Sequence, residues 1–256
     1  MDSCDRRDDV TRFFTELGPR WQDTYESPTP FGHHVTTRLR SCAALLHGVT
    51  GRLLDLGCGT GAVLPMVGST CSGYEGIDRS TTMVEATRAR IQSLRLGPDF
   101  AAREGDVERL PFPSDHFEAV IALGLLGFFD DPLPVVREAL RVTKPGGRLV
   151  FSTTRRNSVN HLALKAARPL HAVYRRLKVH GPAAPRFVGF TDARFRQVLE
   201  SAGCVVLEAR HHDKRIVPFP LGHLWPWFAC RSAELVEGWP ALTAFATGYV
   251  VACAKE

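Results

Sequence analysis

No apolar stretch approaches the roughly 20 residues that a membrane-spanning helix needs. The longest nearly unbroken one, Val120 to Phe129, has ten. The opening residues MDSCDRRDDVTR carry no apolar segment, so no secretory signal is expected. Seven cysteines are scattered, and none stands in a CxxC pair. Neither a disulfide framework nor a zinc site of common spacing is therefore expected, and reducing cytoplasm is the expected compartment. Internal repeats and low-complexity tracts are absent. With 44% hydrophobic and 23% charged residues the chain falls outside the disordered class. Its 256 residues suit one large domain or two small ones.

Acids are nearly missing from Arg155 to Arg196. There ten Lys or Arg face the single acid Asp192, a net of +9, while the rest of the chain carries −4. One reading is a solvated helix whose arginine stems cover apolar surface. The other is an anionic partner.

Hydrophobic periodicity orders the chain. Val10, Phe13, Phe14 and Leu17 recur at helical spacing until Gly18-Pro19. Pro28, Pro30 and Gly32 read as a loop, and a helical pattern resumes over 34–47. From residue 51 strands alternate with helices. Strands are predicted at 52–56, 71–78, 100–103, 117–123 and 148–152. Helices are predicted at 62–67, from the N-cap Ser80 to Leu94, and at 131–142, with Pro132 in the first turn and Lys144-Pro145-Gly146-Gly147 as a turn. This alternation predicts an α/β fold with a parallel sheet and helices on both faces. Residues 155–190 break it as a basic helical insertion, interrupted near Pro169. A helix at 192–202 and strands at 204–209 and 248–254 follow. Between them, 211–240 holds prolines and Trp225, Trp227 and Trp239. Those tryptophans are equally compatible with core and with an acceptor pocket.

Asp55-Leu56-Gly57-Cys58-Gly59-Thr60-Gly61 follows the first strand. Glycines there let the backbone turn tightly and approach a ligand, at the strand end where open α/β sheets bind ligands. The spacing is GxGxG, not the GxGxxG of dinucleotide binding. Asp55 would repel a pyrophosphate and attract a cationic amino-acid end, as in S-adenosylmethionine. Asp78, 17 residues after Gly61, can accept from ribose hydroxyls. Asp106 can accept from an adenine amino group while Val107 packs the ring. The plainer alternatives are a turn cap for Asp55, a helix N-terminal acid for Asp78 and an Asx turn for Asp106.

These residues carry a resemblance. LLDLGCGTG (Leu53–Gly61), GIDRSTTMVEA (Gly76–Ala86), GDVERLPFPSDHFEAVIA (Gly105–Ala122) and REALRVTKPGGRLVFST (Arg137–Thr153) resemble, in order, the motifs of class I S-adenosylmethionine-dependent methyltransferases of the ubiquinone/menaquinone-biosynthesis type. The resemblance is close over about residues 50–154 and loose beyond. It implies one Rossmann-like domain over 1–256: a seven-stranded, mostly parallel sheet with an antiparallel last strand. A helical N-terminal cap (1–48) and the insertions 155–190 and 211–240 would flank it. It also implies S-adenosylmethionine as cofactor, S-adenosylhomocysteine as product, and no metal. Asp55, Gly57 and Gly59 would hold the methionine end. Asp78 would hold the ribose, with Arg79 and Met83 beside the adenine. Asp106 and Val107 would hold the adenine, and Ala122 and Leu123 would line the site. Cys58 reads as a small space-filler inside the loop rather than a nucleophile. Where many relatives have a histidine after the fourth strand, this chain has Phe128, and Gly124–Phe129 offers no titratable group.

Methyl transfer to a small organic acceptor, at oxygen, nitrogen or carbon, is therefore the expected activity. RNA or another macromolecule as acceptor, and a non-catalytic cofactor-binding module, are the alternatives. His33, His34, His161, His211, His212 and His223 are the candidate bases, in segments expected to flank the mouth, and none is singled out. Trp21 and Tyr25 could close over the cofactor. The basic segment 155–196 suggests an acidic group on the substrate or contact with an anionic membrane surface. The sequence assigns no catalytic residue, acceptor or oligomeric state.

Overall fold

A computed structural model describes residues 3–18, 20–167, 185–217 and 221–256. Three helices come first: α1 (Ser3–Leu17), α2 (Arg20–Glu26) and α3 (Pro30–Leu45). The alternating part then runs β1 (Arg52–Leu56), α4 (Leu64–Val67), β2 (Gly73–Asp78), α5 (Thr81–Ser93), β3 (Phe100–Glu104) and β4 (Phe117–Ala122). A 3-10 turn (Leu126–Phe128), α6 (Leu133–Val142), β5 (Thr143–Thr154) and α7 (Val159–Ala166) follow. The chain closes with α8 (Asp192–Ser201), β6 (Cys204–Lys214), α9 (Leu221–Leu224), α10 (Pro226–Val236), a 3-10 segment (Pro240–Phe245) and β7 (Ala246–Lys255).

All seven strands join one sheet in the order β3-β2-β1-β4-β5-β7-β6. The first five are parallel, and β7 pairs antiparallel with both β5 and β6. Strand periodicity sorts neighbouring side chains to opposite faces. Leu54, Val120, Leu149 and Phe151 join Val135, Val136 and Ala139 of α6 and Phe195 and Leu199 of α8. Leu53, Ile121 and Val150 join Val35, Leu39 and Cys42 of α3 on the other face. β4 is the centre of both layers: Phe117, Ala119, Val120, Ile121 and Ala122 have no exposed surface. Each such large apolar side chain contributes about 1.5–3 kcal/mol by leaving water.

Several boundaries differ from the sequence reading. α3 starts at Pro30, inside the expected loop, because Thr29 caps it and proline is tolerated at a first helical position. The expected helix at 62–67 shrinks to the single turn of α4, since the glycine turn uses the preceding residues. Pro132 is the residue before α6, and Pro134 lies within its first turn. β5 begins at Thr143, absorbing the expected turn, with only Gly146 at positive φ. β6 continues to Lys214, so 211–214 belongs to the sheet rather than to an insertion. Of the basic insertion, residues 155–167, which include α7, and 185–190 are described, and the expected break near Pro169 lies outside the described residues. Among the described residues no helix is long and apolar enough to cross a membrane.

Candidate functional site

The site begins where β1 ends. Gly57, Gly59 and Gly61 all take positive φ, at 69°, 55° and 66°. L side chains rarely adopt that region, which explains the glycine repeat. The turn folds back on β2: Gly57 and Cys58 N–H both donate to the Ile77 carbonyl, at 2.7 and 3.1 Å. A Cβ on Gly57 would stand 2.9 Å from Leu125 Cδ1, so the segment after β4 closes against the turn.

Asp78 holds the turn from the next strand. One carboxylate oxygen accepts from Gly59 N–H at 3.0 Å, the other from Ser80 N–H at 2.9 Å. Burial nevertheless pushes its carboxyl upward. A carboxylate has about four acceptor sites, so acceptor capacity remains beyond these backbone donors. Asp55 lies behind the turn, accepting from Tyr74 Oη at 2.9 Å. Burial raises its carboxyl to about 7, against the pull of that hydrogen bond, and the nearby Asp78 adds to the rise. Buried Asp55 and half-buried Asp78 at one glycine turn make a place suited to a cation and hostile to phosphate.

The other expected residues fall around this pair. Asp106 accepts from Glu108 N–H at 2.9 Å, the Asx turn named above as its plainer role. Val107 and Ala122 belong to the core on the α6 face of the sheet, and Leu123 is half-buried against the core on the α3 face. Met83 is buried, whereas Arg79 is exposed and 3.9 Å from Asp8. Cys58 packs against Gly76, and burial drives its thiol well above the ordinary value, which fits a space-filler. Thr60 Oγ1 is buried with no partner.

Sequence reasoning missed Arg38. It projects from α3 to the segment after β4, where a Cβ on Gly124 would lie 2.3 Å from its Nη1. Its Nε is buried without a hydrogen-bond partner. Burial lowers its pKa, while the Tyr25, Cys42 and Asp55 side chains nearby raise it. An under-satisfied guanidinium in a polar recess is suited to a carboxylate, which it can bind by two parallel hydrogen bonds. Its only sequence signal is position: Val35, Leu39 and Cys42 form the apolar stripe of α3, and Arg38 falls on that stripe.

Aromatic side chains of the N-terminal helices roof the turn. Trp21 packs on Tyr25, on Phe14 and on Phe31, and Phe14 packs on Phe128. Phe128, in the place of the absent histidine, also meets Phe187. The Tyr25 hydroxyl would lie 3.8 Å from a Cβ on Gly59. Burial raises its pKa to about 12, so Tyr25 is a neutral donor at physiological pH.

The histidines divide. His33 and His34 of α3 and His212 of β6 enter a buried cluster around Asp213, whose φ is +60°. Asp213 accepts from His33 Nδ1 at 2.8 Å and from His34 Nδ1 at 3.0 Å, and it also bonds Thr247 and Arg215. Burial would raise this carboxyl, but Arg215 and the two imidazoles hold it well below the usual range. His212 Nδ1 lies 3.0 Å from Thr37 Oγ1. Burial holds His34 and His212 neutral. His211 pairs with Asp192 at 2.9 Å, as does Arg155 at 2.7 Å, and His161 sits on α7. The His223 side chain lies outside the described residues. A cleft of about 540 Å³ between the start of α6, residues 186–191 and α8 shares no residue with the glycine turn.

A glycine turn at the carboxyl edge of a mostly parallel sheet, with acids beneath it, defines a ligand-binding α/β domain that favours a cationic, phosphate-free group. A family model described as a methyltransferase domain matches residues 54–151. A phosphatidylethanolamine N-methyltransferase of Cereibacter sphaeroides is 33% identical over 147 residues, 57% of this chain and 68% of that protein. A ubiquinone biosynthesis O-methyltransferase of Alkalilimnicola ehrlichii is 32% identical over 151 residues, 58% of this chain and 60% of its own length. The chain thus spans about 60% of the ubiquinone-type relatives it matches. A solved S-adenosylmethionine-dependent methyltransferase from Thermotoga maritima shares the fold, with a TM-score of 0.62 at 18% identity over 96% of this chain and all of that one. The chain belongs to this methyltransferase family.

Proposed function

We propose that the protein transfers a methyl group from S-adenosylmethionine to a small organic acceptor. The pairing of Asp55 and Asp78 at the GxGxG turn carries this reading, because it matches a ligand with an ammonium, a sulfonium and a ribose but no phosphate. Asp55 faces the positive end, and Arg38 takes the carboxylate. Asp78 accepts from the ribose hydroxyls with the lone pairs its backbone contacts leave free. Asp106 accepts from the adenine amino group between Val107 and the β2 side, while Ala122 and Leu123 line the floor. Thr60 Oγ1 gains a partner. When bound, the cofactor supplies a methyl group on a positively charged sulfur, open to displacement by a lone pair.

The protein's own contribution is alignment and exclusion of water, through Phe14, Trp21, Tyr25 and Phe128. Gly124–Phe129 contains no base, and Tyr25 stays protonated. An acceptor that is already acidic, or an amine presented as its free base, is therefore favoured over an ordinary alcohol. The relatives named for O- and N-methylation fit both cases.

The test is isothermal titration with S-adenosylhomocysteine, followed by incubation with methyl-labelled cofactor and a fractionated host extract. Binding, with label in the small-molecule or lipid fraction, supports the proposal. Label in RNA or protein replaces the acceptor class, and absence of cofactor binding removes the reading altogether.

A further inference from the structure

Trp225, Trp227 and Trp239, which the sequence left between core and acceptor pocket, stand exposed around a helix whose Ala229 and Ala233 are buried. None of them lines the cleft of about 540 Å³ at the start of α6. That volume suits a small organic molecule. The cleft shares no residue with the glycine turn or with the aromatic roof over it, so it is a separate place.

Its inner wall is held in position by the fold itself. Residues 188–190 run beside the end of β5. Val188 N–H donates to the Gly127 carbonyl at 2.8 Å, Phe190 N–H donates to the Thr154 carbonyl at 3.0 Å, and the Phe190 carbonyl accepts from Arg156 N–H at 2.9 Å. Phe190 packs on Phe195 with ring centroids 5.5 Å apart, and Phe195 has no exposed surface. A Cβ on Gly189 would stand 2.4 Å from the Thr154 carbonyl oxygen and 3.3 Å from Arg156 Cγ, so the lack of a side chain lets the two segments and the arginine stem meet. Leu133 of α6 and Val198 of α8 complete the apolar lining.

Into this apolar space the chain puts arginines. Arg156, Arg186 and Arg194 all line the cleft. Arg194 Nη1 donates to Gln197 Oε1 at 2.8 Å, a neutral partner that lines the cleft too. Among the described residues, neither Arg156 nor Arg194 is paired with a carboxylate. Asp192, the acid at the start of α8, is already held by Arg155 at 2.7 Å and His211 at 2.9 Å. Guanidinium groups favour carboxylates and phosphates. The helix ends beside the cleft decide against phosphate, which relies on their free amides. Arg194 N–H is given to Thr191 Oγ1 at 3.3 Å, Leu133 N–H to Asp131 at 3.0 Å, and Pro134 has none. Asp130 and Asp131 also line the cleft, and they oppose a dianion more than a monoanion. We infer that the cleft binds a small organic carboxylate, with its charge on Arg156 and Arg194 and its apolar body against Leu133, Phe190 and Val198. The site does not depend on the methyl-transfer reading, and its test needs no cofactor.

The experiment is an NMR titration of the full, nitrogen-labelled chain with 2-naphthoate. The uncharged isostere 2-naphthamide and inorganic phosphate serve as controls. Saturable shifts are expected at residues 188–194 with 2-naphthoate, at an affinity at least about tenfold above either control. The double variant Arg156→Gln, Arg194→Gln is expected to lose at least about the same factor, with unchanged circular dichroism and S-adenosylhomocysteine affinity. No saturable shift, or equal affinity for the amide, overturns the proposal. Phosphate binding as tightly as 2-naphthoate overturns the ligand class. Unchanged binding by the variant overturns the role of the arginines, and shifts at Gly57–Gly61 instead would move the carboxylate to the glycine turn and remove the second site.

Discussion

Because Asp55 titrates near 7, cofactor affinity should depend on pH within the physiological range. A cationic ligand end is attracted by the ionised carboxylate alone. With a pKa of about 7, Asp55 is ionised in about nine-tenths of molecules at about pH 8 and about one-tenth at about pH 6. Affinity for S-adenosylhomocysteine should therefore fall about tenfold over those two units as pH decreases, with Asp78, also raised, steepening the loss at the acid end. Tyr74→Phe removes the hydrogen bond that favours the charged form, so the midpoint should move upward by about one unit. Asp55→Asn should bind weakly at all pH values and flatten the profile. Titration calorimetry at several pH values, with circular dichroism to confirm folding, reads this directly. A wild-type affinity constant between pH 6 and pH 8, or a sloping profile that survives Asp55→Asn, would refute the assignment of Asp55 to the cationic end.

Three further outcomes follow from the same geometry. Arg38→Met should weaken S-adenosylhomocysteine binding by at least about tenfold while leaving the melting temperature of the free protein unchanged or higher, since it deletes a half-buried cation whose buried Nε has no hydrogen-bond partner. Gly57→Ala meets both a positive φ and the Leu125 side chain, so it should cost about 1–3 kcal/mol in denaturant unfolding and abolish cofactor binding. Gly48→Ala, at φ 83° with open space around it, should show the backbone penalty without the binding loss. Asp213 is held below the ordinary carboxylate range, so the stability it confers is present at neutral pH and is lost as pH falls below about 4. Asp213→Asn should destabilise by about 3–5 kcal/mol at neutral pH and remove that acid-side slope from thermal melts.

Much of this was legible in the chain because the signals are local. β1 appears in the sequence as Arg52–Leu56 and in the structure with the same bounds, since one apolar run ends at a glycine turn. Ser80 caps α5 as expected, accepting from Met83 N–H at 3.4 Å. The glycine spacing and its two acids lie within 25 residues of one another. What was hidden is what folding brings together. His34 and Asp213 are 179 residues apart and share a hydrogen bond. Arg38 belongs to an N-terminal helix whose periodicity only says that one face is buried, not that it ends beside Gly124. The tryptophans of 225–239 carry no period that separates an inward from an outward stripe until the alanines opposite them are seen against the sheet.

The Asp213 cluster also changes how α3 should be understood mechanically. His33 and His34 clamp the first turn of that helix to the far edge of the sheet, and Arg38 sits about one turn further along the same rigid rod. The helix works as a lever with its fulcrum at the clamp. Slackening the clamp, by acid or by mutation, would tilt the guanidinium away from Gly124. Damage at the β6 edge would then be felt as lost grip on a ligand that none of the damaged residues touches.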